Sequence, residues 1–261
     1  MIPEASILVE MSEREEGGTV ARVLINNPRK LNTLNSTLMG DFVRVFEELA
    51  GEKDMRAVVL TGVGEKAFIG GADIHEMAAL NPHTAREFIT HLHRCCNAVR
   101  ELPVPVIARI QGYALGAGLE LAASCDLRIA AESAQLGMPE VKLGIPSVIE
   151  AALLPSLVGW GRAREILLLG ETFSAAKAAD WGLIQRAVPP EELDTAVEHV
   201  IQALLNAGPN AIRLQKKLMR AWEDLPLREA VAAGVQTFTE AWQTDEPRLR
   251  MQAFQKSRQT K

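Results

Sequence analysis

Sulfur and aromatic side chains are scarce in this chain. Its 261 residues include three cysteines and one tyrosine, and Phe, Trp and Tyr together make up 5%. Cys95 and Cys96 adjoin and Cys125 is left over, so no disulfide framework is expected and a reducing cytoplasm is the expected location. No apolar run approaches the ~18 residues that would suggest a membrane span, so no membrane partner is expected. The formal charge is −5, with no long basic run, which argues against nucleic acid as a main partner. The opening "MIPEASILVEMSEREEGG" is acidic and carries neither a signal-peptide core nor Arg-rich transit character. No G-x-S-x-G elbow is present, so a serine hydrolase of that kind has no support.

What remains is an ordinary globular balance, 48% hydrophobic and 23% charged, in α/β text. "TVARVLIN" (19–26) alternates like a half-buried strand and stops at Asn-Asn-Pro. "LNSTLMGDFVRVFEELAG" places Leu38, Phe42, Val45, Phe46 and Leu49 at helical spacing, with Asn35 or Ser36 as cap and Gly51 as stop. "RAVVLTG" (56–62) predicts a buried strand, Pro82 to about Leu102 a helix, and "PVPVIARIQG" another strand closed by Gly112. A helix follows directly, then a short strand from Leu127 to Ala130. Beyond about residue 150 the text turns helical. The expected division is an α/β core over 1–195 and a helical C-terminal region over 196–261.

Two motifs mislead. Gly62-x-Gly64-x-x-Ala67 after a strand resembles a dinucleotide fingerprint, but Gly70 and Gly71 break the helix that fingerprint requires. "HLHRCC" (91–96) looks ligand-rich, yet His91 and His93 point to nearly opposite sides of a helix, so no metal site is expected. Their expected places are one on the surface and one at the core edge.

More telling are two glycine-bearing turns after strands, "FIGGADIHEM" (68–77) and "LGAGLE" (115–120). Each lets backbone N–H groups meet a ligand, and a helix starting near Gly116 adds its positive end. Glu120 sits in otherwise apolar "YALGAGLELAASCDL", and Glu140 follows twenty residues later in "LGMPEVKLGIP". Carboxylates are almost never fully buried unless paired or put to use. A pair beside oxyanion donors suits proton chemistry next to a carbonyl. Burial and a like charge would raise at least one pKa. A buried salt bridge from Glu120 to Arg109 or Arg128 is the structural alternative.

These segments, with "INNPRKLNTLN" and "GRAREILLLGETFSAAKAADWGLI", resemble the crotonase superfamily, the enoyl-CoA hydratase/isomerase family, along nearly the whole chain. The resemblance implies a spiral of β-β-α turns with a C-terminal helical trimerisation region, assembled as a homotrimer or dimer of trimers. It implies an acyl-CoA or enoyl-CoA substrate, with coenzyme A part of that substrate and no separate cofactor. The thioester carbonyl would lie between the N–H groups of Ala72 and Ala117. Arg29 and Leu31, with Gly70, Ala72, Asp73 and Ile74, resemble the segments that meet CoA. Phe254 and Lys256 look like the tail that reaches a neighbouring subunit's CoA. Glu120 and Glu140 fall on both glutamate positions of the family's hydratases, which implies syn addition of water to a trans-2-enoyl-CoA. Isomerisation, lyase chemistry, thioester hydrolysis or a non-catalytic CoA-binding role are the alternatives on this scaffold.

One departure stands out. Where the family usually reads I-P-G-x-G-G-T-Q, this chain reads "GIPSVIEAALLP", with Pro146 six residues past Glu140 instead of seven. Ser147, Val148, Ile149 and Glu150 should make that wall bulkier. The change also brings in another carboxylate, Glu150, read either as part of that wall or, the favoured reading, as a charge at a helix N-terminus.

Overall fold

The computed structural model describes residues 5–259; the ends of the two expected regions, 1–4 and 260–261, lie outside it. The chain opens with an antiparallel pair, β1 (Ser6–Glu13) and β2 (Thr19–Asn26). Helix α1 (Ser36–Gly51) starts where the Asn35 side chain accepts the Leu38 N–H, and it buries Leu38, Met39, Phe42, Phe46 and Leu49. Then a pattern repeats. β3 (Met55–Gly62) leads to β4 (Ala67–Ile69), followed by α2 (Ile74–Met77) and α3 (Pro82–Glu101). β5 (Val106–Ile110) leads to β6 (Tyr113–Leu115) and α4 (Ala117–Ser124). β7 (Leu127–Ala131) leads to β8 (Gln135–Gly137), two 3₁₀ turns and α5 (Leu154–Leu169), which breaks at Gly159.

In each repeat the first strand joins one sheet and the second strand joins another. The larger sheet has the order β1-β2-β3-β5-β7-β10, and the smaller has β4-β6-β8-β9, where β9 is Thr172–Ser174 and β10 is Arg186–Val188. Apart from the antiparallel pairs β1–β2 and β8–β9, all neighbours run parallel. The β-β-α order expected from the sequence is therefore present three times. β3 is buried along its whole length, as a central parallel strand covered on both faces should be.

One face of the larger sheet and helices α1, α3 and α4 enclose the main core. Helix α6 (Ala175–Asp180) adds Ala175 and Ala178 to it. The opposite face carries Val20, Val59, Ile107 and Ile129, and α7 (Leu193–Asn206) covers it with Leu193, Val197, Ile201 and Leu205. Those four recur at nearly helical period, and burying each contributes about 1.5–3 kcal/mol. Three helices end the chain: α8 (Pro209–Asp224), α9 (Leu227–Ala241) and α10 (Glu246–Gln259). The strand β1 gave no clear sequence signal, because it is an edge strand and most of its residues are exposed.

The dinucleotide-like stretch is confirmed as something else. Residues after Gly64 form strand β4, not a helix.

Candidate active site

Helix α4 begins abruptly at Gly116, whose φ of 51° and ψ of −119° suit a residue without Cβ. A Cβ on Gly118 would overlap the Ile69 carbonyl, so glycine there lets the helix start rest directly on β4. The N–H groups of Leu119 and Glu120 donate to Gly116 O, while those of Ala117 and Gly118 have no acceptor among the described residues. That is the usual condition of a helix start.

The other turn lies alongside. Leu34 and Ala72 form a parallel bridge in which Leu34 N–H donates to Gly71 O at 2.9 Å and Asp73 N–H donates to Leu34 O at 2.8 Å. In that register the Ala72 N–H faces away from Leu34, and it has no acceptor among the described residues. A Cβ on Gly71 would stand 3.2 Å from the Leu115 carbonyl, so the "GGAD" and "LGAG" turns adjoin.

Glu120 is 5% exposed. Its Oε1 accepts the Ala151 N–H at 3.2 Å. Burial, first, and the Glu140 charge, second, push its carboxyl up to about 8 against the opposing pull of that N–H, and Glu150 adds to the rise. Neither arginine neutralises it. Arg109 forms a two-pronged pair with Asp194 at 2.9 Å for both bonds, and Arg128 donates to the carbonyls of Leu183, Ala122, Ala123 and Cys125. The salt-bridge alternative therefore has no partner for Glu120 among the described residues.

Glu140 sits in the 3₁₀ turn Pro139–Leu143 and accepts the Ser147 hydroxyl on Oε2 at 2.8 Å. Its Oε1 rests against Gly116, where a Cβ would overlap it. The fold thus gathers Glu120 and Glu140 at the turn that carries the Ala117 N–H.

A second group surrounds Ala72. Arg29 belongs to the 3₁₀ turn Pro28–Lys30, and Leu31 and Asn32 follow with φ of 54° and 57°. Gly70 N–H donates to Leu31 O at 2.8 Å. Asp73 caps α2 by accepting the His75 and Glu76 N–H groups, and Ile74 is exposed beside it. Lys30 Nζ meets Asp73 Oδ2 at 2.7 Å, and that hydrogen bond, more than any other influence, holds the Asp73 carboxyl below its usual range. Phe254 and Lys256 lie on α10, which Glu246 and Arg250 tie to the α7–α8 junction rather than to this turn.

Three contributors escaped the sequence reading. Lys30 is one. Ser147 is another, read only as bulk. The third is the pair His93–Glu150: Glu150 lies in the first turn of the 3₁₀ segment Ile149–Leu153 but is buried, with Oε1 2.8 Å from His93 Nδ1. The two residues are 57 apart in sequence, and no local pattern announces such a contact. His91 is exposed, while His93, half-exposed, meets the buried Glu150 at the core edge, as the sequence reading expected of one of the two.

Comparison with known proteins agrees with this architecture. The profile of the family described as enoyl-CoA hydratase/isomerase matches residues 15–261. A short-chain-enoyl-CoA hydratase of Clostridium acetobutylicum is 36% identical over 241 residues, 92% of each chain. A crotonyl-CoA hydratase of Syntrophomonas wolfei is 33% identical over 254 residues, covering 97% of this chain and 96% of that one. The crystal structure of an enoyl-CoA hydratase from Bacillus anthracis superposes with a TM-score of 0.90 at 33% identity, over 96% of both chains. Shared sequence and shared architecture, both running almost end to end, place the chain in the enoyl-CoA hydratase/isomerase family.

Proposed function

We propose that the protein is an enoyl-CoA hydratase that adds water syn across the double bond of a trans-2-enoyl-CoA. The observation that carries this reading is the coupled carboxyl pair. Glu120 is raised to about 8 by burial and by Glu140, while Glu140 lies against the turn that presents the Ala117 N–H.

The chemistry follows from one proton held between two carboxyls. The thioester carbonyl accepts the N–H groups of Ala72 and Ala117, which have no acceptor of their own, and C3 becomes electrophilic. A water sits between Glu120 and Glu140. The proton resting on Glu120 passes through that water to Glu140, leaving a base and an acid side by side. The water oxygen bonds to C3 as Glu120 takes its proton. The π electrons move onto the thioester oxygen, where the two N–H groups hold the enolate. Glu140 then gives its proton to C2 on the same face. Glu120 again holds the proton, and the pair is ready for another turnover.

Arg29, Leu31, Gly70 and Ile74 form the surface beside Ala72 that would receive the CoA moiety, with Asp73 buried behind it, and coenzyme A enters as part of the substrate. The exposed face of α9, Leu227, Val231, Val235 and Phe238, is apolar at helical spacing, with Leu227 82% exposed and Phe238 67%. Such a face supports assembly as a homotrimer or a dimer of trimers, which would bring Phe254 and Lys256 to a neighbour's CoA.

The test follows the ultraviolet absorbance of crotonyl-CoA. Fast loss with the wild type, and at least a hundredfold less with Glu120→Gln and with Glu140→Gln, is expected. Binding of crotonyl-CoA without any loss would overturn the reading.

A further inference from the structure

We propose that residues 147–151 act as one clamp on the carboxyl pair and that Glu150, pinned by His93, is a positioning residue for Glu120 and the third carboxylate of the site. This inference rests on the hydratase reading for its catalytic consequence, though not for its geometry. Within five residues, this segment touches both glutamates. The Ser147 hydroxyl donates to Glu140 Oε2 at 2.8 Å, and the Ala151 N–H donates to Glu120 Oε1 at 3.2 Å. Between them, Glu150 reaches across to α3, where His93 Nδ1 lies 2.8 Å from its Oε1.

Two features mark this arrangement as built. Ile149 has a φ of 40°, in a region that β-branched residues rarely adopt, so the chain is held in an unfavourable conformation next to Glu150. Glu150 has a side chain only 8% exposed, and its Oε2 is buried with no hydrogen-bond partner among the described residues. A carboxylate in that condition gains nothing for packing; a leucine or methionine would fill the space without desolvating a charge. What it does supply is negative charge beside Glu120, whose carboxyl feels it.

The charged neighbours of Glu120 are few. Glu140 faces it from the 3₁₀ turn 139–143 and Glu150 from the segment 149–153. From α3 comes the Cys96 thiol, held protonated by burial, and His93 acts only through Glu150. Strand β4 brings no ionisable group, β6 only the exposed Tyr113, and α4 itself only Glu120. Burial and the Glu140 charge do most to raise the Glu120 carboxyl, and Glu150 adds a further push in the same direction.

The experiment has two arms. In the first, protein labelled with ¹³C at the glutamate carboxyls is titrated by NMR without any thioester present. The resonance that titrates near pH 8 and vanishes in Glu120→Gln is expected to move down by half a pH unit or more in Glu150→Gln. In the second, crotonyl-CoA hydration is measured across pH. His93→Ala is expected to lower kcat about tenfold with KM within twofold. His93→Asn, whose amide nitrogen stands near the place of Nδ1, is expected to restore most of it. An unmoved Glu120 titration, or equal kcat for His93→Ala, His93→Asn and wild type, would overturn the proposal. If Glu150→Gln fails to fold, the histidine variants are read by the same titration. If the wild type leaves crotonyl-CoA intact, the hydratase reading falls, while the titration still decides whether Glu150 acts on Glu120.

Discussion

The Glu140 carboxylate lies against the α-carbon of Gly116, so closely that a Cβ there would overlap Oε1. The Gly116 backbone also sits at φ 51°, ψ −119°, which side chains disfavour. Gly116→Ala should therefore displace the carboxylate and tilt the start of α4. The expected outcome is at least a tenfold loss of kcat on crotonyl-CoA in a chain that still shows native far-ultraviolet circular dichroism. Full activity would show that Glu140 has no need of this close approach.

Glu120 links activity and stability to pH. Its folded pKa of about 8 stands above the ordinary 4.5, so the folded chain binds the extra proton between those values. Stability is then greatest below the ordinary value and declines as pH rises toward 8. Glu120→Gln abolishes that decline. At pH 8 the variant should melt at a higher temperature than the wild type, with the gap closing toward pH 5. Activity of the wild type should fall as pH rises through about 8, where Glu120 loses its proton. Parallel melting curves at both pH values would expose the error in this assignment.

Lys30 holds Asp73, and Asp73 holds the start of α2, so one ion pair fixes the 28–31 turn against the 70–74 turn. Lys30→Met keeps the apolar stem and removes the charge. We expect KM for crotonyl-CoA to rise about three- to tenfold with kcat changed less than twofold. A fall in kcat alone would place this pair with the chemistry instead of with binding.

The apolar face of α9 gives a test of assembly. Phe238→Asp puts a charge at the C-terminal end of the Leu227, Val231, Val235 and Phe238 stripe. Light scattering should show the wild type at three or six times the chain mass and the variant at the mass of one chain. A wild type that remains a single chain at micromolar concentration would remove the assembly proposal.

Much of this protein was legible from its sequence, because the signals concerned are local. Leu38, Phe42 and Phe46 share a helix face through the 3.6-residue period, and β3 is read from a β-branched run, whatever lies around them. Glu120 and Glu140 were visible for the same reason: a carboxylate amid apolar neighbours contrasts with what is next to it in the chain. Edge strand β1 was not legible, since a mostly exposed strand leaves little apolar contrast. The contacts that finish the site also carry no local mark. Lys30 meets Asp73 across 43 residues and His93 meets Glu150 across 57, both through the coiling of the chain that stacks distant turns. Sequence by itself marked Glu120 and Glu140 as carboxylates set among apolar neighbours. Only the tertiary structure decided that Glu120 would have no cationic partner among the described residues, and that a third carboxylate would stand beside it, because burial and charge act through space and not along the chain.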